Sequence, residues 1–172
     1  MKTVDLGCGP KKHPGSYGVD IHPFPGVDKV VNFNAPDWEI PDNEFDGARA
    51  VQVIEHVGDT KIFLKEIHRI CKHGAEVYIE TPHFSWIDSW NDPTHLWHFS
   101  SGWYKCLLKG EYLSQVVGEF ELVKSEIEFN KTFRSLIPRL LAKLMGDESY
   151  EKHYAFMFPA RNIRTTLRVI KR

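Results

Sequence analysis

The stretch "VDLGCGPKKHPGSYGVD" at residues 4–20 constrains this chain more than any other. Two β-type runs, at 3–6 and 17–21, are joined by a linker that holds Gly7, Gly9, Pro10, Pro14 and Gly15. Proline fixes φ and lacks an amide, while glycine reaches backbone conformations closed to other residues. Hardly one helical turn fits between the runs, so the chain must double back tightly. The turn brings an acid, Asp20, at the end of the second run, close to Gly7 and Gly9.

Three ligands suit a glycine loop of this general kind. A phosphate-cradling loop requires G-x-x-x-x-G-K-[ST], but here the lysines follow Pro10. A dinucleotide fingerprint needs G-x-G-x-x-G opening a real helix whose N-terminal amides hold a pyrophosphate, and Lys12 stands where the third glycine belongs. S-adenosylmethionine carries adenosine without phosphate and needs no such helix. On that reading Gly7, Cys8 and Gly9 bring backbone close to the ligand, Asp20 and Ile21 meet the ribose, and Asp5 lies beneath the loop near the amino group. A tight turn followed by a surface acid is the alternative.

Further β-type runs occur at 28–33, 47–54, 76–82, 119–129 and 163–170, with turn residues between them. From 59 to 72, Phe63, Ile67, Ile70 and Cys71 share one helical face, with Asp59 or Thr60 as N-cap and Gly74 past the end. Strand, helix and strand in that order form a right-handed parallel crossover. The pattern argues for a three-layer α/β sandwich around a mostly parallel sheet, in one domain spanning 1–172 with a helical insert at about 131–160. Ligands of such sheets bind beyond the carboxyl ends of the strands.

From residue 28 onward, "DNEFD", "IEHV" and the strand "YIETP" resemble the class I S-adenosylmethionine-dependent methyltransferases, in the methyltransferase type 11-like group. With "VDLGCG" the likeness covers residues 3 to 83 in matching order, and "DPTHLWHFS" and "FPARNIRTTLRVIK" extend it less sharply. The resemblance implies a Rossmann-like seven-stranded sheet whose last strand is antiparallel and inserted beside the fifth. It also implies that Asn34 and Ala35 face the adenine and that backbone at Gln52 and Val53 meets the methionyl amine. Many members carry helices ahead of the first strand. Here the aromatic stretch 84–104, with Trp86, Trp90, Trp97 and Trp103, is the expected cover.

Methyl transfer to a hydroxyl or a protonated amine needs a base, and His56, then His95 and His83, are the candidates beyond the fourth and fifth strands. Hydrogen-bonded or capping histidines are the alternative for each. Small-RNA terminal 2'-O-methyltransferases hold a divalent cation with a similar E-x-x-E-H and a later His. Gln52 replaces the first of those acids, so no metal site is expected. The expected activity is methylation of a small-molecule acceptor. A non-catalytic cofactor-binding module or partner subunit is the first alternative, and an RNA 2'-O-methyltransferase the second.

Twenty-two basic against 23 acidic side chains give a formal charge of -1, with no bulk attraction to nucleic acid. Three cysteines without a CxxC pair suggest neither disulfides nor a zinc knuckle. No leader or spanning apolar run is apparent, so a cytoplasmic protein is expected. Within the insert, Ile137, Leu140, Leu141, Leu144 and Met145 recur at helical spacing beside Arg134, Arg139 and Lys143. Packing is the plain reading. The sharper one is a lid over an apolar acceptor, with peripheral membrane contact through 134–146.

Overall fold

The structure, a computed structural model, describes residues 1–130, 132 and 135–171. Seven strands form one sheet: β1 Thr3–Leu6, β2 Tyr17–Asp20, β3 Lys29–Val30, β4 Phe45–Val51, β5 Cys71–Pro82, β6 Glu119–Glu128 and β7 Asn162–Ile170. The helices are α1 Thr60–Ile70, α2 Asp88–Asn91, α3 Ser114–Val117, α4 Leu136–Met145 and α5 Asp147–Tyr154. The strand order is β3-β2-β1-β4-β5-β7-β6. All pairings from β3 to β5 are parallel, whereas β7 runs antiparallel between β5 and β6. This is the α/β class expected from the sequence, a mostly parallel sheet with its last strand reversed. Order reverses between β1 and β4, which opens a crevice at their carboxyl ends.

Strand ends follow local chemistry. Only Lys29 and Val30 pair within the expected run 28–33, because Asn32 starts an Asx turn, its side chain accepting from the Asn34 amide at 3.0 Å. The run expected at 47–54 stops at Val51, since Gln52 has φ +56° and turns the chain off the sheet. Helix α1 is capped by Asp59, which accepts from the Lys61 and Ile62 amides at 2.8 and 3.3 Å. It ends at Ile70, short of Gly74. Cys71, expected on the helical face, instead pairs with Phe45 as the first residue of β5.

Alternate residues of the central strands enter the main core. Val77, Ile79, Leu167 and Val169 are at most 1 % exposed and pack beneath Phe63 and Ile67 of α1. Burying each such side chain contributes about 1.5–3 kcal/mol. On the other sheet face β7 presents Arg164 and Arg168, which pair with Glu80 and Glu128, and with Glu121, at 2.9, 2.8 and 3.2 Å. Half-exposed pairs of this kind contribute about 1 kcal/mol or less. A second, smaller cluster joins Phe129, Ala142, Tyr150, Ala155 and Ala160 around α4 and α5. Among the described residues, no helix is long and apolar enough to cross a membrane.

Candidate active site

The loop after β1 is held from below. The Gly7 amide donates to the Val19 carbonyl at 2.8 Å, and Gly7 sits at φ +65°. A Cβ there would lie 2.3 Å from Val53 Cγ2, so β1 and the turn after β4 can approach only through glycine. Gly9, at φ +53°, faces open space, with no atom within 4 Å of the place a Cβ would take. Its amide donates to Asp20 Oδ2 at 2.8 Å, and the His22 amide donates to Asp20 Oδ1 at 3.0 Å. Each carboxylate oxygen keeps a further lone pair. No helix intervenes between β1 and β2.

A cavity of about 210 Å³ opens at this point, lined by Gly7, Asp20, Ile21, Asn34, Gln52 and Val53, all expected from the sequence, and by His56. It is smaller than the roughly 300–1,000 Å³ of common small-molecule sites, so a nucleoside ligand would stay partly exposed in it. His22, Phe33 and Val57 complete the lining. Sequence reasoning missed these three. Phe33 was legible only as part of a strand, and nothing in the sequence pointed to His22 or Val57. The fit to S-adenosylmethionine rests on the Cβ-free cradle, the buried acid opposite it, and the lack of a helix end for a pyrophosphate.

Other expected residues lie elsewhere. Asp5 is 3 % exposed, accepts from the His13 amide at 2.8 Å and faces Arg49 at 3.5 Å. It lines a separate cavity beside Ser16 and Arg49, so it anchors the loop from underneath. Cys8 is buried, its thiol pKa pushed up by burial and by Asp5 and Asp20. The Ala35 amide closes the Asn32 turn at 3.0 Å. Asn34 Oδ1 already accepts from the Gly58 amide at 2.5 Å, which leaves one lone pair for an adenine amino group.

At the rim after β4, a 3-10 turn, Ile54–His56, carries two ionisable groups. Glu55 is 1 % exposed; Oε2 accepts from Thr81 at 2.9 Å and Oε1 has no partner. Burial pushes its pKa up. The His56 and His95 rings stand 4.6 Å apart, and burial, then His95, lowers the His56 pKa. The segment bearing His95 docks on this turn through the Leu96 amide to the Glu55 carbonyl at 2.8 Å and Trp97 Nε1 to the Val57 carbonyl at 2.7 Å.

His83 is different. It is fully buried, with Nε2 3.0 Å from Glu151 of α5 and Nδ1 2.8 Å from Ser85, so both ring nitrogens are engaged by the chain itself. Of the three base candidates, His56 lines the cavity, His95 packs on His56, and His83 ties α5 to the end of β5.

The aromatic stretch packs more than it covers. Phe99, Trp103 and Tyr104 join the main core, Trp90 stacks on His98 at 3.6 Å, and none of the rings from 84 to 104 lines the cavity. Trp97 reaches the lining only through its Nε1 bond to the Val57 carbonyl. Within the insert, Leu136, Ile137, Leu140 and Leu144 are 53–75 % exposed along one side of α4. Arg134 lies outside the described residues. A larger cleft of about 690 Å³ runs along β6 and α4, but its charged walls at Glu128 and Arg164 are already paired with each other.

A methyltransferase domain model matches residues 1–124. Among solved structures, an S-adenosylmethionine-dependent methyltransferase of Archaeoglobus fulgidus is 20% identical, with 98% of this chain and 86% of that one aligned at a TM-score of 0.62. One of Methanosarcina mazei is 15% identical over 99% and 93% of the two chains, with a TM-score of 0.63. A chain of the complex between the Haloferax volcanii Trm112 methyltransferase activator and a methyltransferase is 16% identical over 99% and 83%, with a TM-score of 0.64. Among curated proteins, no significant sequence match is found. The order of its strands and the match over its first 124 residues agree, and this chain belongs to the methyltransferase domain family.

Proposed function

We propose that the protein transfers a methyl group from S-adenosylmethionine to a small-molecule acceptor bound at the rim between the turn after β4 and the end of β5. Bound there, S-adenosylmethionine supplies a methyl group already activated on sulfur. The observation that carries the reading is the Asp20 carboxylate, 6 % exposed and held by two backbone amides with its remaining lone pairs on the cavity. Asp20 positions ribose hydroxyls, and Phe33 and Ile21 provide apolar contact for the base. Gly9 leaves the backbone bare on the ligand's side.

Alignment at near-attack distance, about 3–3.5 Å, and exclusion of water supply most of the acceleration in such a displacement. If the acceptor is a hydroxyl, its proton goes to His56, because burial lowers that ring's pKa and leaves it neutral near pH 7. The exposed apolar row on α4, together with Phe156 and Met157, which are 81 and 69 % exposed, favours an acceptor with apolar character.

Calorimetry with S-adenosylmethionine and with NAD tests the cofactor. Binding of the first and not the second is expected. Asp20→Ala should weaken S-adenosylmethionine at least tenfold, since hydrogen bonds to a charged acceptor contribute about 1.5–3 kcal/mol. An unchanged dissociation constant in that variant would reject the site. A second reading, a cofactor-binding partner subunit, gains support from the structural neighbour solved in complex with an activator. Methyl turnover by the purified chain alone, against a metabolite library, separates the two.

A further inference from the structure

Three donor groups meet at the rim, and the hydrogen-bond network fixes what each presents there. Thr94 Oγ1 donates its only proton to Asp92 Oδ1 at 2.6 Å, so toward His56 Nδ1, 2.9 Å away, it can only accept. His56 therefore carries its proton on Nδ1 and keeps a lone pair on Nε2. His95 Nδ1 lies 3.1 Å from the Ser89 carbonyl oxygen, which also only accepts, so His95 likewise keeps its Nε2 lone pair. Glu55 Oε1 is buried with no donor among the described residues.

One donor atom from each of Glu55, His56 and His95 lies within 4.8 Å of the other two. Two imidazole lone pairs on partly exposed histidines, gathered within 4.8 Å of a buried carboxylate oxygen that lacks a donor, make a donor set that a cation placed among them would satisfy. We propose that Glu55, His56 and His95 hold a divalent first-row transition cation at the acceptor end of the cofactor cavity. Two imidazoles and one carboxylate suit zinc, manganese(II) or iron(II) better than magnesium or calcium, which prefer all-oxygen sites.

The surroundings match such a centre. Each histidine gives its other nitrogen to a fixed acceptor, the arrangement that orients metal-bound imidazoles. Asp92 Oδ2, 4.0 Å from His95 Nε2, adds a second negative charge to balance a dication. Gln52, whose replacement of an acid argued against a metal in the sequence, turns its amide to Asn162 at 3.5 Å and is not required. Three protein donors leave at least one coordination position open, as in catalytic zinc sites, on the side where His56 borders the cavity. In protein without the cation His56 remains the base named above, and with the cation bound His56 and His95 are ligands.

The proposal rests on the cluster alone, and its test needs no methyl acceptor. Protein stripped with a chelator is titrated with manganese(II), zinc(II) and cobalt(II), with calorimetry and elemental analysis as readouts. One equivalent should bind. Glu55→Gln and His95→Gln should each weaken it at least tenfold, with thermal midpoint and affinity for S-adenosylhomocysteine close to those of the unaltered chain. Should a variant fail to fold, the visible spectrum of cobalt(II) on the unaltered chain still reports nitrogen ligation. No stoichiometric cation, or equal binding in both variants, overturns the site. So does an infrared band of a protonated carboxyl that Glu55→Gln removes, because a shared proton then fills the cation's place.

Discussion

Gly7 shows how one missing methyl group sets a site. Its φ of +65° is costly for any other residue, by about 1–2 kcal/mol, and a Cβ would press on Val53 at 2.3 Å. Gly7→Ala therefore carries two separable costs. In a double-mutant cycle with Val53→Ala, the steric part should vanish and the conformational part, about 1 kcal/mol, should remain. Chemical denaturation of the four proteins measures it, and full recovery in the double variant would mean that φ carries no cost. Gly7 and Asp20 were legible in the sequence because special backbone or a buried acid demands particular residue types, whereas Asn34 came only from the family resemblance. Asp5 looked equally telling, yet its role is to hold the His13 amide beneath the loop at 2.8 Å, and no spacing rule tells those two duties apart. Gln52 gave no sign of its φ of +56°, a conformation that costs about 1–3 kcal/mol and is common at functional sites.

One carboxylate of α5 ties that helix to the chain beyond β5. Glu151 Oε1 meets His83 Nε2 at 3.0 Å and receives the Ser101 amide at 2.6 Å. Burial alone would raise its pKa, but these hydrogen bonds outweigh it and hold the value below the ordinary 4.5. A carboxyl whose folded pKa is depressed contributes stability above its unfolded pKa and loses it as pH falls through the folded value. Glu151→Gln should thus melt a few degrees lower at pH 7, the equivalent of about 1–3 kcal/mol, and this difference should shrink as pH falls below 4.5 and through the depressed folded value. A difference independent of pH would show that the charge is irrelevant. Secondary elements with apolar periodicity, such as α1 and β7, were readable in advance. The two-residue β3 and the early end of α1 were not, because an Asx turn at Asn32 and the pairing of Cys71 with Phe45 decide them through tertiary contacts.

At the scale of the molecule, two hydrophobic clusters stand on one sheet among the described residues, and of these the main one includes residues of the cofactor cavity. Phe33, Val53 and Val57 belong to the main core with β1, β4 and α1, whereas Phe129, Ala142 and Tyr150 form the smaller cluster around α4 and α5. The Tyr150 hydroxyl, its pKa pushed up to about 12 by burial, donates to the Phe158 carbonyl and closes that smaller unit on itself. Its outward side is the apolar row on α4. Replacing 132–158 with a short glycine-serine linker should therefore leave cofactor affinity within a few-fold and preserve a cooperative melt, while abolishing turnover of an apolar acceptor. Calorimetry and methyl-transfer assays on the same preparation separate these outcomes. Equal loss of cofactor binding and turnover would mean that the insert supports the whole domain, since a cover over the acceptor alone has no means of reaching Asp20 across β4 and β1.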